Sequence, residues 1–84
     1  MYVIYAIYNQ DHDKIYIGQT EDIVQRLNLH QNKSFKKSYT AKISGEWRLI
    51  YAEEVQDRQT ALKREKQLKS YRGRQFVREF IWGP

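Results

Sequence analysis

The sequence contains no cysteine. Disulfides and thiolate metal sites are excluded, which fits a reducing, cytoplasmic setting. Two histidines are too few for a His-rich zinc site. No run approaches the ~18 consecutive apolar residues of a membrane span, so no membrane partner is expected. The opening MYVIYAIYN is short and carries no basic leader, so it is not expected to act as a signal peptide. Internal repeats, linkers and low-complexity tracts are missing as well. Acids are the minority charge: 15 Lys and Arg stand against 10 Asp and Glu, a net charge of +5. That balance favours an anionic partner, nucleic acid being the commonest, although a merely soluble basic protein has the same composition. With 84 residues the chain is expected to form one small domain over residues 1–84.

What is present reads as alternating short elements. YVIYAIY (2–8) is β-branched and aromatic throughout, as in a strand covered on both faces. NQDHD (9–13) is turn-forming, and KIYIG (14–18) is a second strand, so the pair reads as an antiparallel hairpin. Thr20 precedes EDIVQRLNLHQ and is expected to cap a helix with Glu21 and Asp22 in its first turn. Ile23, Val24 and Leu27 are its expected apolar stripe. A polar, Lys-rich stretch follows to about Glu46, of a length that is often functional in a compact domain. WRLIYAEEV (47–55) is a third strand. Asp57 is expected to cap a helix over about 58–70, and GRQFVREFIW (73–82) a third helix. The predicted fold class is α+β: a three-stranded antiparallel sheet flanked by helices, in the order β-β-α-β-α-α.

Residues 61–69 can be laid on a helical wheel at roughly 100° per residue. Ala61, Leu62 and Leu68 define the apolar arc and Glu65 falls inside it, while Lys63, Arg64 and Gln67 point away. A carboxylate on such a stripe needs compensation for lost hydration. It is either paired with Lys69, four residues on, or it coordinates a divalent cation at the floor of a cleft. In the first helix Arg26 and His30 are four apart and stack at the edge of the apolar arc. The planar guanidinium of Arg26 suits a phosphate oxygen, whereas a His at a core edge also has a structural reading. Tyr5 is in phase with Val3 and Ile7, and Tyr16 with Lys14 and Gly18. A strand tyrosine is most often a packing residue. Gly18 leaves room for close approach to the backbone.

In combination, VIY at 3–5, YIG at 16–18, Arg26, His30 and Glu65 resemble the GIY-YIG nuclease superfamily. The resemblance covers nearly the whole chain and is to its small standalone YhbQ-like branch, similar to the N-terminal nuclease module of UvrC. It implies hydrolysis of a phosphodiester bond with one divalent cation, Mg²⁺ or Mn²⁺. It implies roles for Tyr5 as general base or water-positioning group, Tyr16 as an orienting group near the scissile phosphate, Arg26 as the helix arginine, His30 at a position that is His or Tyr, and Glu65 as the metal ligand. A nearby cation is expected to lower the phenol pKa of Tyr5 from its usual value of about 10. Three positions depart from the pattern: Val3 stands in place of the first glycine, Gln19 follows YIG, and no Asn follows Glu65.

Two basic groups surround these residues. One runs from Lys63 to Arg78 and comprises Lys63, Arg64, Lys66, Lys69, Arg72, Arg74 and Arg78. The other comprises Lys33, Lys36, Lys37 and Lys42, with Phe35 and Tyr39 interleaved for stacking on bases. Such patches give salt-sensitive, sequence-independent affinity. Nucleic acid is the expected partner, DNA ahead of RNA in a repair or recombination context, with a protein partner supplying target choice. The alternatives are a non-catalytic nucleic-acid-binding module and a module that docks a nuclease.

Overall fold

The computed structural model describes residues 1–31 and 43–81, with side chains for residues 1–28 and 43–81. Three strands, β1 (Tyr2–Asn9), β2 (Lys14–Thr20) and β3 (Trp47–Val55), form one antiparallel sheet in the order β2-β1-β3. Among the described residues there are three helices: α1 (Ile23–Gln31) between β2 and β3, then α2 (Arg58–Lys69) and α3 (Tyr71–Arg78) after β3. The element order and the antiparallel sheet are those expected from the sequence.

β1 is the central strand, which is why its sequence is almost uninterruptedly apolar: residues 4–9 are all buried. Successive side chains face opposite sides. Ile4 and Ala6 join Ile17, Ala61, Leu68 and Val77 in a cluster under α2 and α3. Tyr5 and Ile7 join Trp47 on the other face, with Val3, Tyr16, Ile23, Leu27 and Ile43 packed around them. The pairing with β3 steps from Ala6 opposite Tyr51 to Ile7 opposite Leu49, so β3 carries one extra residue, Ile50, as a bulge.

The hairpin between β1 and β2 is fastened by polar side chains. Buried Asn9 accepts from the His12 backbone N–H (3.1 Å) and donates to the Ser44 carbonyl (2.9 Å), tying the turn to the segment entering β3. Asp13 adopts φ 51°, a left-handed conformation that Asp tolerates in turns.

Helix boundaries depart from expectation in ways the side chains explain. Thr20 does not cap α1. It still belongs to β2, and its hydroxyl accepts from the Asp22 N–H (3.1 Å). Asp22 is the cap, accepting from the Gln25 N–H (3.0 Å), so no acid lies in the first turn. Val24 is 67% exposed, which reduces the apolar stripe of α1 to Ile23 and Leu27, one turn apart. Asp57 caps α2 as expected. Leu62 is 48% exposed, so the buried arc of α2 is Ala61 and Leu68 alone. α3 begins at Tyr71 because Ser70 caps it through the Gly73 N–H (3.2 Å), and it ends at Arg78. Among the described residues no helix is long and apolar enough to cross a membrane.

Candidate active site

Register brings the two motif tyrosines together. Tyr5 on β1 stands opposite Gly18 on β2, and Tyr16 lies one pleat along on the same face. The rings are 6.3 Å apart, tilted by 46°. Gly18 makes this possible. A Cβ there would sit 2.9 Å from the Tyr5 hydroxyl and 3.1 Å from Tyr16 Cε1, so only hydrogen in that position lets the Tyr5 ring pass across its neighbour.

Tyr5 is 1% exposed. Burial, more than anything else, pushes its phenol well above the ordinary value; the Tyr16 phenol raises it further, Arg26 works against the rise, and the Glu65 carboxylate adds to it. Two conclusions follow. Tyr16 from β2, Arg26 from α1 and Glu65 from α2 all act electrostatically on one phenol, although Glu65 rides on the helix that covers the opposite face of the sheet. Secondly, Arg26 lowers the Tyr5 pKa, the direction expected of a nearby cation, without bringing it down to the ordinary value. Arg26 opposes the rise but burial outweighs it, so Tyr5 is a neutral phenol at physiological pH in the protein alone.

Arg26 is partly buried in α1, at the edge of the packed face as the wheel predicted. His30 lies in α1, but its side chain is outside the described residues, as are Lys33, Lys36, Lys37 and Lys42 and the interleaved Phe35 and Tyr39. Glu65 sits one turn from each of Ala61 and Leu68, with its side chain 20% exposed, and accepts from Lys69 Nζ at 2.7 Å. The pairing read as an alternative to metal binding is therefore present. Its oxygen donor is also what a hard divalent cation takes. Among the described residues no three His, Cys, Asp or Glu gather into a cluster, so a cation here would rely on Glu65 plus water and substrate oxygens. Mg²⁺ is commonly held in that way.

Of the basic residues on α2 and α3, Lys63, Lys66 and Arg72 are exposed. Arg64 does not point away as the wheel suggested. Its Nε donates to both oxygens of Glu53 on β3 at 3.0 Å, and its guanidinium lies 6.0 Å from the Phe76 ring centre. Lys69 and Arg74 instead line an open groove of about 550 Å³ beside Tyr16. Sequence reasoning missed one further cation in that groove, Lys14, and counted Arg78 in the basic run without giving it a site. Arg78 was legible in part, since it lies four residues after Arg74 on one helix. Its neighbour Asp13, 65 residues away, was not.

The GIY-YIG catalytic domain family model matches residues 1–76. A solution NMR structure of a UPF0213 protein from Bacillus halodurans has a similar fold: TM-score 0.56 at 24% identity, over 100% of this chain and 89% of that one. None of the curated proteins compared matches the chain.

Proposed function

The chain belongs to the GIY-YIG catalytic domain family, a nuclease family, and from that premise we propose that it is a divalent-metal-dependent endonuclease acting on DNA, with residues 1–84 as one catalytic domain. The observation that carries this reading is the packing of the two motif tyrosines, Tyr5 and Tyr16, against each other over Gly18, with Arg26 and Glu65 near enough to act on the buried Tyr5 phenol.

Each residue has a task that follows from its chemistry. Glu65 holds the cation, Mg²⁺ or Mn²⁺, with the substrate supplying further oxygens. When bound, the cation supplies Lewis-acid stabilisation of charge on the phosphoryl oxygens. Arg26 offers a fixed guanidinium to the same developing charge. Tyr5, neutral and held in one orientation by its packing over Gly18, positions the attacking water through its hydroxyl rather than acting as a ready-made base. Tyr16, which lines the groove, orients the phosphate. His30 is assigned to the same site from the family pattern. Lys33, Lys36, Lys37, Lys63, Arg64, Lys66, Lys69, Arg72 and Arg74 supply attraction to the backbone, with Arg64 the weakest of them because Glu53 already neutralises it. Nothing here resembles a base-reading helix, so recognition is of backbone or structure, and target choice falls to a partner protein in a repair or recombination setting.

The test is cleavage of labelled single-stranded, duplex, nicked, flap and branched DNA and of RNA, with Mg²⁺, Mn²⁺ or chelator, by the parent and Glu65→Ala. Metal-dependent cutting that disappears in Glu65→Ala, with binding kept, is the expected result. Salt-sensitive binding without any cutting supports instead a non-catalytic nucleic-acid-binding module. Equal cutting by both proteins would assign the activity to a contaminant.

A further inference from the structure

The groove beside Tyr16 has a wall that the catalytic assignments leave unexplained. It runs between β2 and the ends of α2 and α3, with Lys14, Lys69, Arg74 and Arg78 as its cations and Asp13 as its one acid. β2 is an edge strand of the sheet, and among the described residues no further strand covers this side. We propose that the groove is a phosphate track: one strand of the substrate lies along β2 with successive backbone phosphates on Arg78, Arg74 and Lys14, and meets the catalytic residues at Tyr16. The inference rests on the nuclease reading; it adds Lys14 and Arg78, which that reading did not include, and gives Arg74 a place along a defined path.

Three observations support it. Charge in the groove is mostly of one sign, and the low-dielectric walls of a cleft concentrate such a field. Among the described residues neither Lys14 nor Arg74 forms a salt bridge, and Lys14 only neighbours Asp13, so both charged groups can meet a ligand. The arginines are also held in place before any ligand arrives. Arg74 Nε donates to the Lys69 carbonyl (3.2 Å), and Arg78 reaches both oxygens of Asp13 (3.2 and 3.3 Å). Side chains already fixed lose less freedom on binding. Asp13 is itself fixed, since it also accepts from the Tyr8 hydroxyl (2.9 Å). Lys69 connects track and site: it lines the groove while its ammonium group rests on Glu65. A cation taking Glu65 releases Lys69 to the strand.

The ligand class is a phosphodiester backbone, read without regard to base. The experiment is fluorescence anisotropy of a labelled mixed-sequence oligonucleotide across a salt series, in chelator so that nothing is cut. Parent protein is compared with Lys14→Ala, Arg74→Ala, the double variant, Lys14→Arg and Asp13→Asn, with thermal melting as the check on folding. Each alanine variant is expected to weaken binding about fivefold at low salt and to lower the salt slope by about one, and the double variant by about two. Lys14→Arg should restore binding. Asp13→Asn, which keeps the turn conformation open to it, should strengthen binding severalfold by unmasking Arg78. Parent binding with unchanged affinity and slope in the alanine variants overturns the track while leaving the nuclease reading intact. A parent that binds no nucleic acid at low salt overturns both.

Discussion

Tyr5 is where sequence, packing and chemistry meet most closely. Its ring packs with Ile7, Trp47 and Tyr16, and its hydroxyl lies 2.9 Å from where a Cβ on Gly18 would be. Gly18→Ala should therefore displace the tips of Tyr5 and Tyr16 rather than any backbone. The expected outcome is a melting temperature lowered by a few degrees and cleavage reduced at least about tenfold, since small misplacements of positioning groups are costly in rate. A variant that cuts normally would show that the tyrosine geometry is not used. The raised Tyr5 pKa has a consequence for stability with a definite sign. A phenol whose folded-state pKa lies above its unfolded value contributes stability fully below about pH 10, and that stability is lost as pH rises through the folded value. Tyr5→Phe should flatten the alkaline limb of the stability curve, measured by urea unfolding from pH 7 to 11.

At the scale of elements, the junction of α2 and α3 depends on a close approach. A Cβ on Gly73 would lie 2.1 Å from the Gln67 carbonyl oxygen and 2.4 Å from Leu68 Cα, both backbone atoms that cannot step aside. Gly73→Ala should destabilise the fold by on the order of 3 kcal/mol, read by urea denaturation, because the helices must part to admit one methyl group. The N-terminus of α2 makes the opposite kind of prediction. The Asp57 carboxylate accepts from the Thr60 N–H at 2.8 Å, and that hydrogen bond holds its pKa below the usual range. A depressed carboxyl pKa stabilises above about pH 4, and the contribution disappears as pH falls through the folded value. Asp57→Ala should lower the melting temperature at pH 7 and leave a shallower loss on acidification. This cap was legible in the sequence, as were the strands, whose alternation and β-branched content are local properties. The cap of α1 was not. Thr20 and Asp22 are both capable N-caps, and the choice was made by how far β2 extends along β1. Val24 and Leu62 were misjudged for a related reason: a short helix lying on a three-stranded sheet buries a narrower arc than a wheel assumes.

Across the whole molecule, the candidate metal ligand stands apart from what holds the fold together. Two apolar clusters, one on each face of the sheet, are closed by Ile4, Ile17 and Leu68 on one side and by Tyr5, Ile7 and Trp47 on the other. Glu65 belongs to neither and already has the ammonium group of Lys69 as a counter-ion. The composition made a basic surface legible, but not that the hairpin turn and α3, far apart in sequence, would share one groove. Nor did it reveal that a lysine would bridge that groove and the metal position. This arrangement fixes what metal removal should do. A ligand stabilises a fold by RT ln(1 + [L]/Kd), which is small when, among the described residues, a single carboxylate already paired with a lysine is the candidate ligand. Chelator should therefore leave the melting temperature of the free protein unchanged while abolishing cleavage. Mn²⁺ affinity, followed by paramagnetic broadening of amides around Glu65, should be weak in the free protein. It should rise when a non-cleavable oligonucleotide is added, because phosphate then both completes the coordination and draws Lys69 away. Unfolding on chelation would mean that the cation is structural. Equal Mn²⁺ affinity with and without oligonucleotide would mean that Glu65 and the groove bind independently, and that Lys69 does not pass between them.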